Sequence, residues 1–569
     1  MKNWQWWQKV VFYQIYPRSF ADSNGDGIGD LQGIIQKLDY LKDLGIGAIW
    51  MSPHYPSPQM DCGYDIADYQ DVAPEYGTLA DFQRLLNEAH QRDIRIVLDM
   101  VLNHTSDQHT WFEESRSDRN NPKRDWYIWR DGKGDGPPNN WNSTFGGSAW
   151  EYDPQTDQYY YHFFFKQQPD LNWRNPEVKE AMWKAMRFWL DMGVDGFRLD
   201  AIGTIFEHPG LPDHTSPYSL PELHQISRRA RNDHDQHAAM LEWEKMFQYQ
   251  HEQPGMHELL KELRQLVNGY PERVLIGETD DISYYGNGHD ELHMVFNFPL
   301  MKTDQITANR VRGNQKERLD ALPDDAWPCN TLGNHDSPRI YSRYGNGLHN
   351  SQIARQLLTL MLTLKGTPVL YNGEEIGMTD FLLKDLRQFR DNLGVWNYNI
   401  DVNYLGLSHE EALDHAARAT RDACRTPFQW SQAPNAGFSP ENTVTWLPVN
   451  PNYLNGVNVA NQDFVPGSLL NDYRTLIKLR SENPALVVGD YQILNGDAQD
   501  VLAFLRVSVE DRQTCLILMN MSSETVHQSD LGYPDVKLEV MYTNQNRPHQ
   551  MMLSSLVDLS PFEILIASI

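Results

Sequence analysis

The sequence predicts an α/β chain built on a (β/α)8 barrel, and three observations carry that expectation. Eight short apolar runs alternate with longer amphipathic patterns through most of the 569 residues. The runs lack the strict alternation of a half-solvated sheet, as parallel strands buried on both faces do. The helical patterns then stop, and short alternating runs fill the C-terminal end. A chain of this length exceeds one small core, so a large domain with attachments is expected.

In order, the runs at 11–16 (VFYQIY), 47–51 (GAIWM), 94–100 (IRIVLDM), 196–199, 274–277, 294–298, 329–332 and 368–371 read as buried parallel strands. Between them, 31–44, 78–92, 176–192 and 351–364 read as amphipathic helices. Two segments break the rhythm. After the third strand the text becomes loop-like and aromatic (NNPKRDWYIWRDGKGDGPPNNWNSTFGGSAW), too long for a simple connection. Near the end, VLAFLRVSV, QTCLILMNM, KLEVMYTN and FEILIASI suggest antiparallel strands. The expected division is a barrel from 1–103 and 171–486, an inserted loop-rich domain at 104–170, and a C-terminal antiparallel β-sandwich at 487–569.

Composition narrows the partners. The balance of 49 Lys+Arg against 77 Asp+Glu gives a net charge of -28, which argues against nucleic acid and anionic membranes, whose affinity comes largely from basic residues. Four cysteines, with no CxxC spacing, indicate neither a zinc site nor a disulfide framework. The start, MKNWQWWQKVVF, lacks the apolar run of a signal peptide, and no run of about 18 apolar residues appears. A cytoplasmic protein is expected.

The stretch DSNGDGIGD (22–30) spaces oxygen-bearing side chains like the opening of an EF-hand loop. Counting Asp22 as position 1 puts Gly33 at position 12, so the closing carboxylate is missing. Asp22, Asn24, Asp26, Asp30 and the Ile28 carbonyl still offer the all-oxygen set a hard cation takes. A Gly- and Asp-rich turn that caps the helix starting near Leu31 is the other reading.

A barrel presents its reactive groups at the C-terminal ends of its strands. Arg198 and Asp200 close the fourth strand (GFRLD), Glu278 closes the fifth (IGETD), and His335 and Asp336 follow the seventh (GNHDS). A single such acid reads as readily as a buried salt bridge or a helix cap. Their shared placement points to carboxylate chemistry.

The strings DMVLNH (99–104), GFRLDA (196–201), GET (277–279), GNHDSPR (333–339), QPDLN (168–172), GYD (63–65) and RTPFQW (425–430) run in order along the chain. In these the chain resembles glycoside hydrolase family 13, the α-amylase family, and within it the bacterial α-glucosidase and oligo-1,6-glucosidase branch. The resemblance implies Asp200 as nucleophile, Glu278 as general acid/base and Asp336 as the carboxylate that stabilises the transition state. Such a retaining pair stands about 5 to 5.5 Å apart. Arg198, two residues before Asp200, shares its face of the strand and is expected to keep it ionised. Glu278 must instead begin protonated.

The same resemblance assigns His104 and His335 to sugar contacts, Tyr64 to a stacking platform, and Asp65 with Arg421 to a pair that grips the outer hydroxyls of a terminal glucose. Phe145 and Phe164, from the aromatic insertion, complete the expected substrate-binding set with Arg198 and Ala201. It also implies a single structural divalent cation at 22–30, Ca2+ ahead of Mg2+.

Ala201 directly follows the nucleophile. In resembling enzymes a small residue there accompanies α-1,4 preference and Val accompanies α-1,6 preference. Maltose and short α-1,4-glucooligosaccharides are therefore the expected substrates, cleaved from the non-reducing end, with transglucosylation as a side reaction. Alternatives are an oligo-1,6-glucosidase, or a transglucosidase or trehalose-converting enzyme. SPRIYSRYG after Asp336 lacks the RLDRF-like loop associated with sucrose isomerases. A sugar-binding, transporter-associated subunit is disfavoured because all three acids are present. The segments 203–217 and 385–417 fit no family pattern.

Overall fold

The computed structural model describes residues 4–230, 233–494 and 498–569. The strands β1 (Phe12–Ile15), β2 (Ala48–Met51), β3 (Arg95–Val101), β4 (Gly196–Asp200), β5 (Val274–Gly277), β6 (Met294–Val295), β7 (Cys329–Thr331) and β8 (Thr367–Tyr371) coincide with the eight expected runs. They form one parallel sheet in the order β7-β8-β1-β2-β3-β4-β5-β6. A parallel bridge from Phe296 to Cys329 then closes the ends into a barrel.

Strand side chains alternate between two environments, as a period of two requires. Phe12, Trp50, Val97, Ile276, Cys329 and Val369 pack together inside the barrel. Their neighbours Tyr13, Ile49, Leu98, Phe197, Leu275 and Leu370 pack outward under the helices. The inward register carries on at the strand ends through Asp99, Arg198, Asp200 and Glu278, so the same alternation that fills the barrel aims the polar groups at its mouth.

Helix ends follow local chemistry. The Pro176–Met192 helix opens on an Asn175 cap with Pro at its first position and stops at Gly193, whose φ of 112° suits only glycine. The Leu79–His90 helix opens on a Thr78/Asp81 capping box. One expectation changes: the 31–44 pattern is two helices, Leu31–Gln36 and Leu38–Leu44, broken at Lys37. Gly33 anchors the first piece on the preceding loop, where a Cβ would lie 2.0 Å from the Ala21 carbonyl oxygen.

After β3 comes a three-stranded antiparallel sheet of Trp129–Arg130, Gln158–Tyr161 and Trp150–Asp153, built around Trp141, Trp150 and Tyr161. Two helices that the sequence reading did not foresee, Leu220–Arg229 and Asp233–Phe247, follow β4. Two more, Asn392–Asn403 and His409–Ala419, follow β8 within the segment of unassigned pattern.

The C-terminal region is a six-stranded antiparallel sheet with a two-stranded ribbon, Val526–Asp530 and Leu556–Leu559, as its second layer. Leu502, Phe504, Ile517, Met519 and Ile566 of the large sheet belong to the barrel's outer core. The alternate residues Leu505, Leu516, Leu518 and Leu565 pack with Val557 and Leu559 of the ribbon. Two buried cations pin this joint through backbone carbonyls. Arg506 Nη1 donates to the Thr363 and Leu364 oxygens at 2.5 and 2.9 Å, and Arg480 Nη1 to the Leu362 oxygen at 2.8 Å. Both sit at the negative end of the Asn350–Thr363 helix dipole.

His54 is a local anomaly with a measurable consequence. It is fully buried, stacked on Phe82 at 5.1 Å, and neither ring nitrogen has a hydrogen-bond partner. An unmet buried polar group costs about 1 to 3 kcal/mol. Burial also lowers the imidazole to about 3, against about 6.5 in the unfolded chain. The stability this residue contributes is thus complete above about pH 6.5 and is lost as pH falls toward 3. A His54→Phe variant is expected to melt higher than the parent at pH 7, with the gap widening at pH 5 in differential scanning fluorimetry. Equal midpoints at both pH values contradict this account.

Candidate active site

At the C-terminal mouth of the barrel a single guanidinium organises three carboxylates. Arg198, 1 % exposed, donates from Nη1 to Asp99 Oδ1 and Asp200 Oδ1, each at 2.6 Å, and its Nη2 forms an ion pair with Glu278 Oε2 at 2.9 Å. It lies 5.0 Å above the Trp50 ring. Arg198, expected to keep Asp200 ionised, is one cation shared among three acids. Burial pushes the Asp200 carboxyl well up, with Glu278 and Asp99 adding to the rise and Arg198 opposing it. Asp99 is likewise pushed up to about 6 by burial, against Arg198. Asp99 and Asp200, both raised and both bound to Arg198 Nη1, titrate together and not as isolated carboxylates.

Glu278 follows β5, and its Oε2 also accepts the Ala201 amide at 2.9 Å. Ala201 makes this bond from a left-handed conformation, φ 41°, which is sparsely populated for any residue with a Cβ and worst for β-branched ones. The turn after β4 is thus bent to bring the backbone onto the Glu278 carboxyl.

Asp336 stands across the site, open to the pocket with 31 % of its side chain accessible although protein encloses it at longer range. Arg425 Nη2 reaches its Oδ1 at 2.5 Å and Arg421 Nη1 at 3.7 Å. Burial would raise this carboxyl, yet His335, Arg425 and Arg421 together outweigh it and hold Asp336 well below the usual carboxylate range. Burial keeps the His335 imidazole, 3.1 Å away, neutral, so its part is that of an N–H dipole and the cations facing Asp336 are the arginines. With the Gln14 amide donating to Nδ1 at 2.6 Å, the ring proton sits on Nε2. That proton faces Tyr64 Oη at 2.5 Å, and the Tyr64 hydroxyl donates on to Asp99 Oδ2 at 3.0 Å. The chain Gln14–His335–Tyr64–Asp99 fixes the pocket floor, with the Tyr64 and His335 rings stacked at 5.4 Å.

His104, Phe145 and Phe164 form a wall. His104 Nε2 meets the Tyr64 carbonyl at 3.1 Å, its ring lies 5.1 Å from Phe164, and Phe164 lies 5.3 Å from Phe145. Phe145 in turn stands 5.5 Å from the Arg421 guanidinium.

One expected residue is corrected. Asp65 does not pair with Arg421: it is fully buried and its oxygens accept from Ser57 Oγ and the amides of Met60 and Asp61 at 2.8 to 3.0 Å. It shapes the turn that presents Asp61, and Asp61 Oδ1 takes Arg421 Nη2 at 2.6 Å. Gln168, in QPDLN, steadies Asp61 Oδ2 at 3.0 Å. Both acids lie in MDCGYD, four positions apart, and the sequence signal was the first acid in that string. Arg425 was also missed as a site residue, although RTPFQW begins with it. Asp391, which grips Arg421 at 2.7 Å, lies in the segment that matched no pattern.

The 22–30 loop lies apart from this cluster. Asp22 Oδ1 accepts the Gly25 amide at 2.6 Å and Oδ2 the Gly27 amide at 2.9 Å. Asp26 Oδ1 accepts the Ile28 amide at 2.8 Å, and Asp30 caps the Leu31–Gln36 helix through the Gly33 amide at 2.6 Å. The donor chemistry of Asp22, Asn24, Asp26, Asp30 and the Ile28 carbonyl suits a hard cation. Among the described residues, however, no three Asp, Glu, His or Cys side chains are gathered as a metal-holding group. The loop's acids face its own amides.

The geometry agrees with known proteins. Residues 14–489 match the family described as "Alpha amylase, catalytic domain". An oligo-1,6-glucosidase from Parageobacillus thermoglucosidasius is 40% identical over 538 residues, 91% of each chain. An alpha-glucosidase from Pediococcus pentosaceus is 42% identical over 518 residues, 87% of this chain and 88% of the other. Among solved structures, an isomaltulose synthase variant from Erwinia rhapontici NX5 in complex with sucrose superposes with a TM-score of 0.88 at 37% identity over 100% of both chains. The trehalulose synthase from Pseudomonas mesoacidophila MX-45 does so with 0.87 at 38% identity, again over both whole chains. By sequence and by fold, this chain belongs to the α-amylase family of glycoside hydrolases.

Proposed function

We propose that the chain is an exo-acting, retaining α-glucosidase that releases α-glucose from the non-reducing end of maltose and short α-1,4-glucooligosaccharides. The observation that carries this reading is the grip of one arginine on both Asp200 and Glu278, at 2.6 and 2.9 Å. Two carboxyls held by one guanidinium are close neighbours, which favours the retaining separation over the 6.5 to 9.5 Å or so of an inverting pair.

The residues divide the chemistry as follows. A retaining displacement requires the proton on Glu278 and an anionic Asp200 beside Arg198 when the sugar is attacked. Glu278 protonates the leaving glycosidic oxygen while Asp200 attacks the anomeric carbon, giving a glucosyl-enzyme. Glu278, now a base, takes a proton from water as that water displaces Asp200. Asp336, held ionised by Arg425 and Arg421, faces the positive charge that develops on the sugar ring. Arg421 and Asp61 close one end of the pocket over the terminal glucose, and charge-assisted hydrogen bonds there favour exo action.

Ala201 supports α-1,4 preference. A β-branched residue in its left-handed turn would be strained and would crowd the side toward the leaving group. The relatives named oligo-1,6-glucosidase, and the sucrose-bound isomaltulose synthase, support a second reading in which α-1,6 bonds or transfer to a sugar acceptor dominate. Maltose, isomaltose, trehalose, sucrose and p-nitrophenyl α-glucoside, assayed for glucose with chromatography of transfer products, separate the two. Fastest glucose release from maltose is expected. Preferred isomaltose, or sucrose converted to an isomer, overturns the α-1,4 reading.

We propose further that the 22–30 loop takes a structural Ca2+ ion, with Mg2+ a weaker occupant. Its all-oxygen donors support this, since a carboxylate oxygen bound to an amide keeps a lone pair for a cation. An ion bound only by the folded chain raises its stability by mass action. The melting midpoint of chelator-treated protein is expected to rise by several degrees in millimolar Ca2+, without change in KM. Equal midpoints, and no heat on titrating Ca2+, retire the site.

A further inference from the structure

The segment 385–417 carries no recognisable pattern, yet it supplies the carboxylate that holds Arg421 most completely. We propose that Asp391 is a positioning residue that sets affinity for the terminal glucose by holding Arg421 against Asp61 at the closed end of the pocket. The inference rests on the reading of Arg421 and Asp61 as the grip on that sugar.

Asp391 is fully buried on its side chain and takes Arg421 in a fork, Nε to Oδ2 at 3.0 Å and Nη2 to Oδ1 at 2.7 Å. It also accepts the Arg421 amide at 2.9 Å. Such two-pronged pairing fixes the plane of a guanidinium as well as its position. The same Nη2 reaches Asp61 at 2.6 Å, while Nη1 stands 3.7 Å from Asp336. Arg421 therefore lies between acids that face the sugar and one that does not. Without Asp391 its cation is drawn wholly toward Asp61 and Asp336, onto the groups that should meet hydroxyls.

Asp391 is itself held by its surroundings. Its Oδ1 accepts the Leu393 amide at 3.1 Å as the cap of the Asn392–Asn403 helix. Next to it, Asn392 Nδ2 donates to the carbonyl of Met60, the neighbour of Asp61, at 2.7 Å. Further along, Asp401 pairs with Arg228 of the Leu220–Arg229 helix. Trp396 lies so close to Gly146, beside Phe145, that a Cβ there would sit 1.8 Å from the indole nitrogen. The helix after β4 and the insertion after β3 thus brace the helix that Asp391 caps behind Arg421.

A helix cap alone would explain Asp391 without any role in binding, and Asp391→Ser separates the two. Serine caps as well as aspartate but cannot fork a guanidinium. In the full chain, D391S is expected to raise KM for maltose and for p-nitrophenyl α-glucoside by the same factor, at least tenfold. Its kcat should fall less than threefold, while its melting midpoint falls by several degrees because one partner of a buried ion pair is lost. The equal factor follows because Arg421 meets only the terminal ring, which both substrates share. Unchanged KM, or a fall in kcat at constant KM, overturns the proposal. Should D391S not fold, the isosteric D391N is measured instead with the same expectation, and misfolding of both assigns Asp391 to structure and overturns it too. A parent enzyme that hydrolyses neither glucoside marks failure of the functional reading instead, before any variant is made.

Discussion

An Asp200→Ala variant is expected to fold like the parent and to release glucose from maltose at least roughly ten-thousand-fold more slowly, as removal of a nucleophile from a unit-acting site does. The fold survives because the deletion removes one of three acids competing for Arg198, whose contacts to Asp99 and Glu278 at 2.6 and 2.9 Å remain. A Glu278→Gln variant is expected to lose about 10^2- to 10^4-fold, the scale of general acid/base catalysis. Azide separates the two roles. With α-glucosyl fluoride, D200A rescued by azide should give the β-glucosyl azide, because azide itself attacks the anomeric carbon. E278Q should give the α-glucosyl azide, because azide displaces Asp200 from the covalent intermediate. Exchanged products exchange the assignments, and D200A with parental activity removes Asp200 from the mechanism.

The second large effect concerns Arg198, the hub rather than a reacting group. An Arg198→Met variant keeps the length of the side chain and strips buried Asp99 and Asp200, and half-buried Glu278, of their shared cation. Breaking a buried ion pair in this way costs about 3 to 5 kcal/mol. The pH dependence gives the cause. Asp200 and Asp99 are already pushed up by burial, Asp99 to about 6, with Arg198 working against the rise. Without Arg198 they go higher still and bind protons in the folded state that the unfolded chain releases. The deficit relative to the parent therefore shrinks as pH falls through about 6 toward 4, where the acids are neutral in both proteins. Urea denaturation at pH 5 and pH 7.5 measures it. A deficit that is equal at both pH values rules out unpaired carboxyls as its origin.

The barrel was legible because its strands are buried on both faces: Trp50 and Val97 pack inside and Ile49 and Leu98 outside, so each run is apolar throughout. Strand-end acids were legible because they close those runs, with Arg198 and Asp200 two residues apart on one face. What escaped depends on turns. Asp65 and Asp61 are chemically equivalent in MDCGYD, and only the fold shows that Asp65 accepts the turn's amides while Asp61 faces Arg421. The helices Asp233–Phe247 and Asn392–Asn403 were hidden because neither gathers its apolar residues on one face. Sharing of Arg198 among three acids was beyond reach as well, since Asp99 and Glu278 lie 179 positions apart and meet only through barrel closure.

The account stands on Asp200 forming the covalent bond, and trapping reads that directly. A 5-fluoro-glucosyl fluoride of α configuration, incubated with the parent enzyme and followed by peptide mass spectrometry, is expected to add one fluoroglucosyl unit to the peptide that carries Asp200. The label should be absent from D200A. A label on another carboxylate, or rapid turnover to β-configured sugar with no adduct, contradicts the double displacement proposed for this site.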